Sequence, residues 1–555
     1  MVRLIRLPEV VRASLGFTLL TVAAFEHQVR DLYAVPDRGD PLFSMWRMAW
    51  VRHQLTIDPG HLFDANIFYP LREALTYSDS MILPALATAP LAWLGLHPVV
   101  AYNITLLASF ALSGLAAYVL ARDLGAEPPA AWIAGVAFAI APFRMNHFSH
   151  LELQMTMWMP VVLVCVHRVL TDGQRGYVIG VAAGLAAQWY SSMYYGLFLT
   201  IYAVTFGTVL IVIGRIRDRR VWRAGLGVAL AAILVAPLVI TYARTAPERG
   251  ERPVDSVTAF SAVPTDYVRT GSRNPVYRAL LPRPVHAERA LFPGLVAIVL
   301  AGIGIWPPVT ATVAAFAIAG VVAFDGSLGL HGVLYRTLYW IFPPLHSVRA
   351  PVRFDMLVVL TLAMLAGVGA GRMMARLSTV RARAAAAVFL TIAFVVDVWP
   401  QYDQLPVWRS PPSIYADLPT GSVLFEFPVH RPADRFSENL PYMYFSMWHW
   451  PPMVNAYSGF IPASYVSLLD GASTFPDASA LQYLVEAGVT HIAVHCRLWE
   501  PEVCAETLHR LDSTPAVRQL ARAEWYSAPS VLYELRRDPR SGIRDPEIPP
   551  ATVIR

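Results

Sequence analysis

Three short stretches of this sequence place side chains of the right type close enough together to do chemistry. The first is Asp37-Arg38-Gly39-Asp40-Pro41. Proline is well suited to the first turn of a helix, so Asp40 stands where an N-cap belongs. The same carboxylate, facing a substrate hydroxyl, is a general base. The sequence leaves both roles open, with Asp37 as the reserve. The second stretch holds Arg144, Asn146, His147, Ser149, His150, Glu152 and Gln154. Two imidazoles at i and i+3 followed by a carboxylate suit a substrate or phosphate contact, the capping of two helix ends, or a divalent cation. The pattern is not the i, i+4 pair of H-E-x-x-H, so a metal is possible but not required. The third group is cationic: Arg349 and Arg353 flank Pro351, His346 is nearby, and Arg72 lies in an earlier loop. Guanidinium binds phosphate oxygens through a planar fork. Arginines at these places could equally be ordinary interfacial residues that bind lipid head groups.

The elements that must position these groups are membrane helices. Of the 555 residues, 55% are hydrophobic and 15% charged, against about 25% charged in a soluble domain. The apolar residues fall in runs of about 16 to 24, the length that crosses a bilayer core of roughly 30 Å. Such runs must be helical, because lipid satisfies no backbone polar group. Arginine asymmetry threads them. Arg3, Arg6 and Arg12 hold the N-terminus in the cytoplasm, and Val10–Phe25 is read as an uncleaved first span. The loops after Leu170, around Arg215–Arg223 and around Arg372–Arg383 are also expected inside. Met81–Leu96 is short and broken by Pro84 and Pro90, and is read as re-entrant or surface-lying. All three chemical stretches then fall on the outer side. The expectation is about eleven spans in residues 1–400.

Leu42–Leu55, with Trp46, Arg47, Trp50, Arg52 and His53, is too polar to span and is expected to lie in the interface plane. The aromatic band Trp189–Tyr195 reads as an interfacial belt or a sugar-stacking platform. Residues 401–555 read as a small external α/β domain, with strands at Val423–Phe427, His491–His495 and Val531–Leu535 and a helix at Ala480–Glu486. Cys496 and Cys504 could pair there or stay free, and Cys165 is expected to be inert packing. No phosphate-binding G-x-x-x-x-G-K-[ST] loop and no long basic arm is present, so neither an ATP-driven machine nor a nucleic-acid binder is expected.

A first helix, an external acidic residue, an interfacial helix and a Pro-containing apolar hairpin resemble the GT-C superfamily of polytopic glycosyltransferases. Gly39-Asp40-Pro41-Leu42, Asn66-Ile67-Phe68-Tyr69-Pro70 and Ala101-Tyr102-Asn103 resemble an uncharacterised bacterial branch of it. The resemblance covers roughly residues 10–400 in architecture. It implies a mainly α bundle of GT-C type in a bacterial cytoplasmic membrane, serving the cell envelope. It also implies a polyprenyl-phosphate-linked sugar donor and Asp40 as catalytic base. The Asp-Glu pair of some relatives is absent, with Pro41 at the second position. Arg72, Arg144, His147, His150, Glu152, Arg349 and Arg353 are the expected substrate contacts. A non-enzymatic lipid or glycan transporter, or a membrane assembly protein, is the competing expectation. The sugar, the acceptor and the oligomeric state are not legible.

Overall fold

The computed structural model describes residues 7–271, 274–399, 402–432 and 436–536. Arg3 and Arg6, read above as orientation markers, lie outside them. Among the described residues, six helices are long and apolar enough to cross a membrane: Leu7–Ala24, Pro98–Asp123, Leu151–Thr171, Met193–Ile213, Arg219–Arg249 and Pro351–Met374. Arg219–Arg249 has a mean hydropathy of 2.4, yet only 22% of that apolar window is buried within the protein. Apolar surface on that scale needs lipid around it. The chain is an integral membrane protein.

The other expected spans are helices that are shorter or less apolar. Leu295–Ile305 and Ala311–Ser327 are apolar but short, Pro128–Ala139, Gly176–Ser191 and Val380–Val398 join them, and Ile82–Trp93 lies in the segment expected to be re-entrant. Leu295–Ile305 has 11 residues. At 1.5 Å per residue it rises about 16 Å, roughly half of a bilayer core. The tally of about eleven therefore separates, among the described residues, into six long apolar helices and five that are shorter or less apolar.

The chain divides into two compact units, Met1–Ser44 with Asp79–Val407, and Met45–Ser78 with Trp408–Arg555. The first is the helical unit. Its helices meet through small residues: a Cβ at Gly304 would fall on the carbonyl of Leu365, and one at Gly369 on that of Leu300. This brings Leu295–Ile305 and Asp355–Met374 almost into backbone contact. Some of the polar groups between helices are paired. Tyr202 and Thr361 share a hydrogen bond of 2.7 Å, and Arg122 holds Glu9 at 2.6 Å.

The second unit is built on a four-stranded sheet. Leu424–Phe427 pairs in parallel with His491–His495, which pairs antiparallel with Ala528–Leu535, and Val517–Trp525 closes the edge. Three of these strands were expected. Val517–Trp525 was not, because Arg518, Arg522 and Glu524 give an edge strand the look of a polar loop. Gly488, at φ 88°, stops the helix Ala478–Glu486 where the sequence placed its end. Cys496 and Cys504 form a disulfide, and Cys165 is buried and free. Inside the unit, Glu426 joins His495 at 2.7 Å and the Tyr415 hydroxyl at 2.9 Å, all buried.

Residues 45–78 were read as part of an interface-lying helix and an external loop; they belong to the second unit. The helix runs Asp40–Ile57, and Leu42, Trp46, Arg47, Trp50 and Val51 are all at most 5% exposed. The polar atoms that suggested a wet face are turned onto the following loop. Trp46 Nε1 donates to Asn66 at 3.2 Å, and Trp50 Nε1 donates to the Leu62 carbonyl at 2.9 Å.

Candidate active site

Asp40 opens its helix. Its carboxylate meets His150 Nε2 at 3.1 Å. The neighbouring Asp37 does the local turn work, accepting from the Gly39 amide at 2.8 Å. The loop that delivers Asp40 is pinned from several directions within the first unit. Asn103 donates to the carbonyls of Leu32 and Ala34, each at 2.9 Å. Ala34–Val35 pairs with Leu405–Pro406, and Arg38 donates to the Pro406 carbonyl at 2.8 Å. Tyr102, beside Asn103, donates to the Ser149 carbonyl at 2.8 Å, next to His150. The Ala101-Tyr102-Asn103 stretch thus steadies both sides of the Asp40–His150 pair from one helix.

The histidines ride on a turn closed by Arg144 and Gln154. Arg144 is 1% exposed. Its guanidinium donates to the Gln154 side chain at 3.1 Å and to the carbonyls of Ala139 and Gln154, each at 3.0 Å. It also lies over Phe110, 4.2 Å from the ring centre. Burial pulls its guanidinium down to about 9. Gln154 in turn donates to the His147 carbonyl at 2.7 Å. Arg144 is therefore a strut inside the turn, its donors directed at protein carbonyls.

His147 and His150 stand edge to face, their rings 5.8 Å apart. His147 contacts the Phe143 carbonyl at 2.8 Å through Nδ1 and Glu288 at 3.2 Å through Nε2. Glu288 also takes both arms of Arg353, at 2.6 and 3.1 Å. Burial pushes the Glu288 carboxyl up, but Arg353 and His147 outweigh it and hold it well below the usual carboxylate range. Two polar groupings result, Asp40 with His150 and His147 with Glu288 and Arg353, and the two histidine rings bring them side by side. The His150 Nδ1 atom is buried and finds no partner among the described residues.

Of the expected residues, the structure brings Asp40, His147, His150 and Arg353 together. Glu152, 8% exposed, sits on the same turn as the histidines. Arg349 is half-buried, over Phe260 at 4.8 Å. Arg72 is exposed and belongs to the second unit. Glu288 was missed. It lies in the long loop 243–289, where an isolated Glu288-Arg289 pair carries no motif. The one signal was its place just before an apolar run, on the side where the other candidates cluster. The aromatic band is not a simple belt either: Tyr195 is fully buried, and Tyr194 lies under Arg353 at 5.0 Å. Among the described residues, no group of three or more His, Cys, Asp or Glu side chains is arranged to hold a metal ion.

No family model matches the chain, and no curated protein matches it. Among solved structures it is similar to ArnT from Cupriavidus metallidurans in the apo state. The identity is 12%, the TM-score 0.48, and the match covers 95% of this chain and 97% of that one.

Proposed function

We propose that the protein is a membrane glycosyltransferase that takes a sugar from a polyprenyl-phosphate-linked donor and places it on a hydroxyl of an extracytoplasmic acceptor. The observation that carries this reading is the Asp40–His150 contact beside the His147–Glu288–Arg353 grouping. Asp40 takes the acceptor hydroxyl proton while that oxygen attacks the anomeric carbon. The bond from this carbon to the phosphate oxygen breaks, and the phosphate leaves with the electron pair. Arg353 and Arg349 face the negative charge that develops on it. His150 holds the Asp40 carboxylate in place, and Glu288 holds His147 and Arg353 in register. The GT-C resemblance of Gly39-Asp40-Pro41-Leu42 supports the same assignment of the base.

The test is transfer from a labelled polyprenyl-phosphate sugar pool in membranes. Asp40→Asn keeps size and helix-starting ability but loses the basic oxygen. Turnover should fall on the order of 10²–10⁴-fold, while Asp37→Asn stays near wild type. Full activity of Asp40→Asn would remove Asp40 from the chemistry and favour a transport or assembly role.

A further inference from the structure

One short helix of the first unit turns an apolar face away from the protein. Leu334–Ile341 has 8 residues. Asp325, near the end of the apolar helix Ala311–Ser327, starts it: its carboxylate accepts from the Val333 and Leu334 amides at 2.9 and 2.7 Å. Val333, Trp340 and Ile341 are 69%, 69% and 70% exposed, and Phe342 is 44% exposed. Arg336 and Thr337 are exposed among them. Positions 333, 336, 337, 340 and 341 follow the i, i+3, i+4, i+7, i+8 pattern and so share one face. The Thr337 hydroxyl donates back to the Val333 carbonyl at 2.8 Å, so that residue adds little polarity to the face. Clustered apolar exposure with a charged edge marks a binding surface.

The opposite face holds the turn that carries two of the candidate arginines. Tyr335 and Tyr339 are buried there. The Tyr339 ring packs on His346 at 4.5 Å, and the Tyr339 carbonyl meets His346 Nε2 at 2.9 Å. Tyr335 stands edge-on to Phe354, the residue after Arg353, at 6.3 Å. Between these two anchors along the chain, the Arg349 amide donates to the Tyr194 hydroxyl at 3.1 Å. The short helix and the 346–354 turn are therefore packed as one piece, and whatever sets the level of the helix sets the level of the turn.

Lipid is the occupant that the chemistry of the face selects. The helix adjoins Ala311–Ser327, which exposes Ile318 and Val321 as a membrane helix does. Tryptophan is enriched at the level of the lipid head groups. Arginine lays its stem along apolar surface and lifts its guanidinium toward phosphates. At 8 residues the helix rises about 12 Å, far short of a bilayer core, so an apolar face can meet lipid only by lying along its surface. We infer that Leu334–Ile341 lies in the boundary between head groups and acyl chains, with Val333, Trp340, Ile341 and Phe342 in lipid. It thereby fixes the depth at which Arg349 and Arg353 meet a lipid-borne phosphate. The location of the helix stands independently of the glycosyltransferase reading, and the depth role rests on that reading.

The experiment uses the purified full-length chain in phosphatidylcholine nanodiscs, with Val333→Cys or Ile341→Cys labelled by an NBD fluorophore. Cys165 is buried and Cys496 is bonded to Cys504, so the introduced thiol is the one that reacts. Glu506→Cys, at an exposed position of the second unit, is the water-facing control. A doxyl-labelled lipid should quench the labels at 333 and 341 at least about 3-fold more than aqueous iodide does, and the control should show the reverse. Iodide quenching at 333 and 341 equal to that of the control overturns the inference by placing the helix in water. Shielding from both quenchers overturns it by placing protein on the face, a second copy or another part of the chain. The depth role is read from transfer kinetics: Trp340→Glu should raise KM for the lipid-linked donor about 10-fold with kcat within about 2-fold, and Trp340→Phe should restore it. An unchanged KM in Trp340→Glu overturns the depth role. If Trp340→Glu fails to fold, the quenching pattern of the two cysteine variants, which keep Trp340, still decides. Lipid quenching without any sugar transfer sinks the function and leaves the helix where it is placed, whereas transfer with iodide quenching sinks the inference alone.

Discussion

At the scale of single residues, the same side-chain type serves opposite ends here, and the partners tell them apart. Arg353 and Arg144 are both buried arginines. Arg353 meets a carboxylate, Glu288, which itself reaches His147. Arg144 meets protein carbonyls and an amide. The consequence for Arg144 is structural. Arg144→Lys keeps a charge but cannot span the Ala139 and Gln154 carbonyls with one planar group. Each buried carbonyl left unsatisfied costs about 1–3 kcal/mol. A clear drop in the thermal unfolding midpoint of the detergent-purified protein is expected, measured by intrinsic fluorescence. An unchanged midpoint with weakened donor binding would return Arg144 to the ligand contacts.

At the scale of elements, the site depends on helices that approach closely enough to hold loops still. The closest approach is between Leu295–Ile305 and Asp355–Met374, at Gly304 and Gly369. Asp355–Met374 continues directly from the short turn that carries Arg353. Leu295–Ile305 follows the turn Ala287–Arg289 that carries Glu288. The Glu288–Arg353 ion pair is therefore set by how these two helices pack. Gly369→Ala or Gly304→Ala puts a methyl group where a backbone carbonyl already is, so the helices must part. The double substitution is expected to destabilise the protein by about 1–3 kcal/mol, the cost of overpacking a close contact. It should also weaken sugar transfer without altering any polar residue. Wild-type stability and transfer in the double variant would show that the two helices are free to shift.

At the scale of the whole chain, topology is the property to test. Arginine asymmetry places reporters fused after Ala126, Arg175, Arg220 and Arg376 in the cytoplasm and those after Pro282 outside. Ile82–Trp93, at 12 residues, rises about 18 Å and is too short to cross on its own. An external signal after Ala126 would mean that this segment nevertheless crosses, and the loops that follow it would need reassignment. The Cys496–Cys504 disulfide agrees with an oxidising compartment for the second unit.

Membrane insertion and helix positions were legible in the sequence because lipid leaves little choice. An apolar run of sufficient length has to become a helix, as Pro98–Asp123 and Met193–Ile213 did. The strand His491–His495 and the stop at Gly488 were legible for local reasons, alternation and the left-handed conformation glycine permits. Asp40, His147, His150 and Arg353 could be nominated because charged groups near membrane helices are scarce and costly. Their partners could not be read. Glu288 lies 141 positions from His147 and 65 from Arg353 along the chain, and no local pattern records a contact made across such distances. The same limit explains Asp40. Its position before Pro41 is that of an N-cap, and only the folded chain shows that its carboxylate meets His150. It also explains the segment 45–78, whose polar helix looked like a surface element until its own loop folded over the tryptophans. Sequence determined which segments enter the membrane and which residues are chemically expensive. Tertiary structure decided which of those residues meet, because pairing is a property of packing between distant segments.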